Sequence, residues 1–188
     1  MNKSEKLQIL SQRVAQCQCC QELASTRTNT VFGVGNPNTR IILCGEAPGK
    51  DEDQQGEPFV GRAGQLLNNI LSAAQIKRED IYILNILKCR PPNNRVPTDE
   101  ESANCKPFLN LQLKIIEPRF IFCLGTTAAH NLLGESTPIS QMRGQWYSYE
   151  SIPVLCTFHP AYLLRNPHAK KDAWADWQLL LDRLKSEL

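Results

Sequence analysis

The sequence predicts an α/β protein, a three-layer α/β/α sandwich with a central four-stranded parallel sheet. The first observation is a set of four short apolar runs with little polar alternation, which is typical of strands buried on both faces. These runs are residues 41–44, 81–87, 120–124 and 154–157. The second observation is that segments with helical features separate the runs. Because strands and helices alternate, βαβ crossovers and a parallel sheet are expected.

The predicted helices follow the strands in order. They are residues 63–74, 99–116, 126–133 and 171–184. Thr98 and Glu101 form a capping box for the second helix, and Pro107 predicts a kink or a restart inside it. An apolar stripe runs along the last helix. No repeat or long linker divides residues 1–188, so we expect a single domain with residues 1–20 as a helical preface.

The composition gives no sign of a membrane protein or of a strongly basic nucleic-acid binder. Hydrophobic residues make up 41% of the chain, but no apolar stretch approaches the ~18 residues that a membrane span needs. The net charge is only +2, but residues 85–97 and 159–171 each contain three basic residues and no acid. The chain opens with MNKSEKLQIL, which is charged and lacks an apolar signal segment. We therefore expect a soluble, cytoplasmic and monomeric protein.

Polar, turn-rich stretches follow all four predicted strands. They are residues 45–49, 85–92, 125–127 and 158–163. Ligands of open α/β sheets bind at the carboxyl ends of the strands. If the strands are parallel, these stretches converge on one cleft.

The eight cysteines point to a metal centre, because disulfides are rare in a reducing compartment. The three that lie in apolar runs, and are expected in the core, are Cys44, Cys123 and Cys156. Four others stand at loop or helix-start positions and can converge on one soft metal centre. These candidate ligands are Cys17, Cys20, Cys89 and Cys105. Cys19 is interpreted as a bystander, and a zinc ion and a 4Fe-4S cluster both fit the spacing.

Four motifs in order closely resemble the family 4 uracil-DNA glycosylases. They are GEAPG at residues 45–49, GEPFVGRAG at 56–64, NILKCRPP at 85–92 and HPAYLL at 159–164. The resemblance covers nearly the whole chain, including the four candidate ligands. It implies the uracil-DNA glycosylase-like fold, a 4Fe-4S cluster rather than zinc, and hydrolysis of the N-glycosidic bond of deoxyuridine in single- or double-stranded DNA.

Three residues suit recognition of a flipped uracil. His159 can donate to O2 as negative charge develops there, even as a neutral imidazole. The Asn85 carboxamide offers an acceptor to N3–H and a donor to O4, whereas cytosine presents the reverse pattern. Phe59 can stack on the base. Without the resemblance, a strand-end cap, a strand-end polar residue and a core aromatic fit these positions as well.

Hydrolysis also needs a carboxylate to orient water and to stabilise the cationic sugar. Family 1 enzymes have Asp where this chain has Ala47, a residue that we place in the substrate-binding loop, so the carboxylate must come from elsewhere. By resemblance the candidates are Glu46, our first choice, and Glu52, with Asn94 in support. Glu52 equally suits a wall beside uracil C5 that rejects the methyl group of thymine. The loop acids interpreted as solvated are Asp51 and Asp53.

Base flipping needs phosphate contacts and a wedge that fills the vacated stack. Leu163 is the predicted wedge, with Arg165 next to it, and Tyr162 and Leu164 are interpreted as anchors of the loop. The basic residues predicted near DNA beside the cysteine loop are Lys88, Arg90 and Arg95. The competing hypothesis is a non-catalytic iron-sulfur domain on the same fold that binds DNA or senses redox state.

Overall fold

The computed structural model describes residues 1–187 and has a mixed six-stranded β-sheet at its centre. In chain order the strands are β1 (Val34–Gly35), β2 (Ile41–Gly45), β3 (Tyr82–Asn85), β4 (Phe120–Leu124), β5 (Trp146–Tyr149) and β6 (Ile152–Thr157). Their spatial order is β1-β3-β2-β4-β6-β5. The inner strands β3, β2, β4 and β6 are parallel, and each overlaps one of the four predicted runs.

The sheet has two more strands than predicted, and both pair antiparallel at its edges. β1 contains two residues, which is too short for a sequence pattern to reveal. β5 is joined to β6 by a tight turn in which Glu150 and Ser151 have φ of 45° and 71°. Because β5 is an edge strand and only partly buried, it lacks the continuous apolar run of an inner strand.

Nine α-helices lie within residues 1–187. In chain order they are α1 (Lys3–Ala15), α2 (Gln21–Thr26), α3 (Lys50–Gln55), α4 (Arg62–Ala73), α5 (Asp99–Ile116), α6 (Thr126–Leu133), α7 (Ile139–Met142), α8 (Pro160–Arg165) and α9 (Lys170–Ser186). The predicted helices correspond to α4, α5, α6 and α9. The capping box is confirmed, with Thr98 Oγ1 accepting from the Glu101 N–H at 3.2 Å and Glu101 Oε2 accepting from the Thr98 N–H at 3.0 Å. α5 continues through Pro107 without a restart. None of the helices described over these residues is long and apolar enough to cross a membrane.

Helices cover both faces of the sheet, which confirms the three-layer α/β/α architecture. Successive residues of an inner strand point to opposite faces. In β2, Ile42 packs in a core with α5 and α6, whereas Leu43 packs in a second core with α4 and α9. The first core also contains three buried thiols, as predicted, from Cys44, Cys123 and Cys156.

The four parallel strands end at one edge of the sheet, and this edge organises the functional residues. β2 ends at Gly45, β3 at Asn85, β4 at Leu124 and β6 at Thr157. The chain then enters the loops that lead to α3, α5, α6 and α8. The polar stretches predicted to follow the strands therefore meet at this edge.

Candidate active site and cysteine site

A cleft of about 950 Å³ opens at the carboxyl ends of the parallel strands. All four polar stretches contribute to its walls, which confirms the predicted convergence. The predicted site residues that line it are Glu46, Ala47, Glu52, Phe59, Asn85, Asn94, His159 and Arg165.

Asn85 and Phe59 meet at the floor of the cleft, above Gly45. A Cβ atom at Gly45 would lie 2.5 Å from Asn85 Oδ1 and 2.8 Å from Phe59 Cζ, so only glycine leaves room for both side chains. Asn85 is 2% exposed, and its Oδ1 has no hydrogen-bond partner among residues 1–187. A buried acceptor without a donor is costly, so this amide is set to receive a donor from a ligand.

The Phe59 ring stacks on the imidazole of His159. The ring centroids are 5.4 Å apart, and the planes are inclined by 26°. Phe59 is 5% exposed and has left-handed backbone, with φ of 53°. The Phe59 ring, stacked on His159, therefore lies next to the Asn85 amide at the cleft floor.

His159 is the N-cap of α8, and this position fixes its tautomer. Its Nδ1 accepts a hydrogen bond from the Ala161 N–H at 3.0 Å, so in the neutral ring the proton is on Nε2. Desolvation, with a smaller effect of the Arg165 guanidinium, lowers the pKa of His159 to about 4. The ring is therefore a neutral Nε2–H donor at pH 7.

Glu46 is held by a residue that the sequence did not reveal. Thr127 Oγ1, at the start of α6, donates to Glu46 Oε2 at 2.5 Å. Asn131 Nδ2 in turn donates to the Thr127 carbonyl at 2.9 Å. Because Glu46 and Thr127 lie 81 residues apart in the chain, no local pattern predicts this contact.

The other predicted acids lie in α3 rather than in a loop, and they have different environments. Glu52 lies beside Gly49, where a Cβ atom would be 3.2 Å from Glu52 Oε2. Asp51 is exposed, as predicted. The prediction that Asp53 is solvated was wrong, because Asp53 is 4% exposed and accepts from the Thr28 N–H at 2.9 Å. Asp53 thus fastens the segment before β1 to α3.

Leu163 does not lie where it could enter the base stack as a wedge. It is 1% exposed and packs against Ala169 and Ala173, outside the cleft. The large apolar side chains that α8 exposes are Tyr162 and Leu164, each 37% exposed. The assignment is therefore corrected: Leu163 anchors α8, because a side chain packed in a core cannot reach a base stack.

Most basic residues of the 85–97 stretch are engaged within the protein. Lys88 is 1% exposed and donates from Nζ to the Asn85 carbonyl at 2.9 Å, so it cannot contact phosphate. Arg95 forms two ion pairs: its Nη2 lies 2.6 Å from Glu101 Oε1 and 3.2 Å from Glu22 Oε2. The placement of Lys88 against DNA is corrected accordingly, whereas Arg95 lines the cleft with its guanidinium bound to these two carboxylates. Asn94 lies at the exposed rim of the cleft, where its Oδ1 accepts from Arg90 Nε at 2.7 Å.

The four predicted cysteine ligands line a second, small cavity, next to the loop after β3. Cys19 also borders this cavity but is exposed to solvent. Within residues 1–187, no group of three or more His, Cys, Asp or Glu side chains has the arrangement of a metal site as it stands. The structure therefore brings the predicted ligands to one place, and the cluster itself stays a prediction.

Donors around this cavity suit an anionic sulfur centre. Arg27 Nη1 donates to Cys89 Sγ at 3.3 Å, and Asn104 Nδ2 donates to Cys20 Sγ at 3.6 Å. The buried Lys88 makes no salt bridge with any described residue, and desolvation lowers the pKa of its ammonium to about 8. N–H donors and a positive charge beside thiolates are features that tune and stabilise iron-sulfur clusters. The residues present thus fit such a group.

Comparison with known proteins identifies the family. A family model described as the uracil DNA glycosylase superfamily matches residues 32–179. The chain is 49% identical over 168 residues to the Type-4 uracil-DNA glycosylase of Thermotoga maritima, covering 87% of this chain and 86% of that protein. It is 43% identical over 182 residues to the Type-4 enzyme of Archaeoglobus fulgidus, covering 93% and 91%. For the Type-4 enzyme of Saccharolobus solfataricus the identity is 37% over 192 residues, covering 97% and 88%.

The chain therefore belongs to the uracil DNA glycosylase superfamily. These three relatives all carry the name of the Type-4 branch, which confirms the predicted resemblance to family 4. Uracil-DNA glycosylases are hydrolases that act on N-glycosyl bonds. The prediction of an enzyme, rather than a non-catalytic iron-sulfur domain that binds DNA or senses redox state, agrees with this class.

Proposed function

We propose that this chain is a DNA repair glycosylase that hydrolyses the N-glycosidic bond of deoxyuridine, releasing uracil and leaving an abasic site. Membership of the superfamily supports the reaction. One observation supports the assignment of the cleft: the buried Asn85 oxygen, which lacks a partner among residues 1–187, lies beside the Phe59 ring. Uracil N3–H supplies the missing donor, and O4 accepts from the amide nitrogen. Cytosine reverses this pattern and is rejected.

Catalysis requires that the departing uracil anion be stabilised. The neutral His159, with its proton on Nε2, donates to uracil O2 as negative charge develops there. Its Nδ1 is occupied by the Ala161 N–H, so the ring does not have to reorient during the reaction. Preorganised donors of this kind stabilise the transition state more than the ground state.

Glu46 is assigned the role of orienting the attacking water. Thr127 fixes one carboxylate oxygen, which leaves the other to accept a hydrogen bond from water and to stabilise the cationic sugar. Asn94 supports this side of the cleft from the rim. Glu52, in α3, forms a wall of the pocket and is the second candidate for the carboxylate role.

The contact with DNA is assigned to helix α8. Tyr162 stacks on Phe158, with ring centroids 4.9 Å apart, so its ring is held against the protein. Leu164 lies on the same helix and is 37% exposed, so we assign the wedge to Leu164. The exposed Arg165 lines the cleft and is assigned to a phosphate. The partner is uracil-containing DNA.

The cysteine site is assigned to a 4Fe-4S cluster held by Cys17, Cys20, Cys89 and Cys105. When bound, the cluster supplies a rigid covalent connection between the N-terminal segment and the loop after β3, and it takes no part in glycosidic chemistry. Arg27 and Asn104 orient the ligating sulfurs through N–H donors.

The test uses the protein purified anaerobically with its iron. It is incubated with oligonucleotides that carry one deoxyuridine, either single-stranded or paired with guanine, and the DNA is then treated with alkali. We expect cleavage at the uracil position only after alkali, and none in a matched strand with thymine. Absence of alkali-labile sites in both substrates would overturn the proposal and favour the non-catalytic DNA-binding alternative.

A further inference from the structure

A half-buried arginine outside the cleft binds the backbone that carries Phe59. Arg78 lies in the short helical turn Arg78–Asp80 just before β3. Its Nη2 donates to the Pro58 carbonyl at 2.6 Å, and its Nη1 donates to the Phe59 carbonyl at 3.1 Å. Nη1 also donates to Asn68 Oδ1 on α4 at 2.8 Å. A single guanidinium thus ties two consecutive carbonyls to the helix behind them.

The Phe59 backbone needs such support. A φ of 53° is unfavourable for an aromatic residue and persists only where neighbours over-determine it. One neighbour is Gly64, where a Cβ atom would lie 2.0 Å from the Phe59 carbonyl oxygen. The other is Arg78, whose Nη1 donates to the same carbonyl. The Phe59 peptide is therefore seated on α4 and held there by the guanidinium.

The charge of Arg78 has no acidic partner in hydrogen-bonding range. Arg78 takes part in no salt bridge over residues 1–187, and its guanidinium donates to two carbonyls and one amide oxygen. An arginine used for solubility or for a surface ion pair does not need this arrangement. Its directional donors suit the fixing of a backbone conformation instead.

We propose that Arg78 is a positioning residue for base recognition, because it sets the orientation of the Phe59 ring through the carbonyls of Pro58 and Phe59. The inference rests on the proposed function, in which Phe59 stacks on uracil. Loss of Arg78 then releases the strained turn, and the ring no longer presents its face beside Asn85. Binding of a flipped uracil weakens, whereas binding of undamaged DNA does not, because Arg78 lies outside the residues that line the cleft.

The test is a double-mutant cycle with Arg78→Met, Phe59→Leu and the double variant. The readouts are the single-turnover excision rate and the affinity for duplexes with and without a non-cleavable deoxyuridine analogue. We expect each single variant to bind the analogue duplex about tenfold more weakly, with unchanged affinity for the plain duplex. The double variant should be no weaker than Phe59→Leu within about threefold, because both changes remove the same interaction.

Controls separate this role from general destabilisation. Arg119→Met changes an exposed arginine before β4 and should leave both affinities unchanged. Arg78→Lys keeps the charge but not the two parallel donors, so partial recovery is expected. If Arg78→Met does not fold, Asn68→Ala, which removes only the anchor of Nη1, replaces it with a smaller expected loss.

Two outcomes would overturn the inference. Multiplicative losses in the double variant would show that Arg78 and Phe59 act independently. An equal loss of affinity for both duplexes would show a merely structural role. Failure of the proposed function is distinguishable, because the wild-type protein would then excise no uracil at all.

Discussion

Asn85, His159 and Glu46 are each fixed by neighbours that take no part in the reaction. Gly45 leaves space for the Asn85 amide, the Ala161 N–H selects the tautomer of His159, and Thr127 holds one oxygen of Glu46. Each side chain therefore has at least one polar atom that remains available to a ligand. Preorganisation of this kind reduces the reorganisation needed when the transition state forms.

The Asn85 amide is tested by Asn85→Asp. The variant keeps an acceptor for uracil N3–H but loses the donor to O4, and it adds a negative charge that faces the leaving anion. We expect single-turnover excision to fall by at least ~10²-fold, which corresponds to a loss of about 2.7 kcal/mol of transition-state stabilisation. Unchanged excision would place Asn85 outside the base pocket.

The protonation of His159 gives a prediction on pH. The folded pKa of about 4 lies below the value of about 6.5 in an unfolded chain. The unfolded state therefore binds the proton first, so the stability contributed by neutral His159 is present above about pH 6.5 and is lost as the pH falls towards 4. Nitrogen NMR of the imidazole should show the Nε2–H tautomer from about pH 7 to about pH 5. A titration midpoint of about 6 would contradict this expectation.

Two neighbouring residues of helix α8 have different roles: Leu163 anchors the helix, and Leu164 is assigned to contact DNA. Leu163→Ala should lower the free energy of unfolding by ~2–5 kcal/mol, because it empties a packed site beside Ala173. Leu164→Ala should change that free energy by less than ~0.5 kcal/mol, because Leu164 is partly exposed. Its excision rate should fall on duplex DNA and change little on single strands, where no partner base holds uracil in the stack.

Thermal unfolding and single-turnover assays on both substrates check this pair of variants. Equal losses on the two substrates for Leu164→Ala would remove it from the wedge role. An unchanged unfolding midpoint for Leu163→Ala would show that its packing does not anchor α8.

Elements with long or continuous patterns could be predicted from the sequence, and short ones could not. The inner strands and α4, α5, α6 and α9 carry repeated apolar signals. α2, α3, α7 and α8 have four to six residues each, which is less than two turns, so a helical period cannot be measured in them. Without α8, the sequence could not show that Leu163 points inward and Leu164 outward.

In the candidate site, too, some features could be predicted from the sequence and others could not. Glu46, Asn85 and His159 could be placed in one cleft, because each lies at or just after the end of a parallel strand. The partner of Glu46, Thr127, comes from a segment 81 residues away, and no local pattern shows it. Burial of Lys88 was also beyond prediction, because a lysine beside a loop is exposed in most proteins.

At the scale of the whole molecule, the cysteine cavity joins three parts of the chain. Cys17 and Cys20 flank the turn between α1 and α2, Cys89 follows β3, and Cys105 lies in α5. The ion pairs of Arg95 with Glu22 and Glu101 connect the same parts. The N-terminal helices are therefore fastened to the body next to the loop that borders the cleft.

This arrangement predicts the metal content. Protein purified anaerobically should be brown, with broad absorption near about 400 nm and about four irons per chain. Replacing Cys17, Cys20, Cys89 or Cys105 by Ala should remove iron and lower the unfolding midpoint. Cys19→Ala is the matched control, since Cys19 is exposed, and it should retain iron. Zinc at full occupancy, or iron loss in Cys19→Ala, would contradict the ligand assignment.

Gly45 and Gly64 limit how far this cleft can be redesigned. A methyl group at Gly45 would displace Asn85 or Phe59, and one at Gly64 would collide with the Phe59 backbone. In a saturation library selected for uracil excision, both glycines should therefore be as intolerant as the reacting residues, although neither has a side chain to offer.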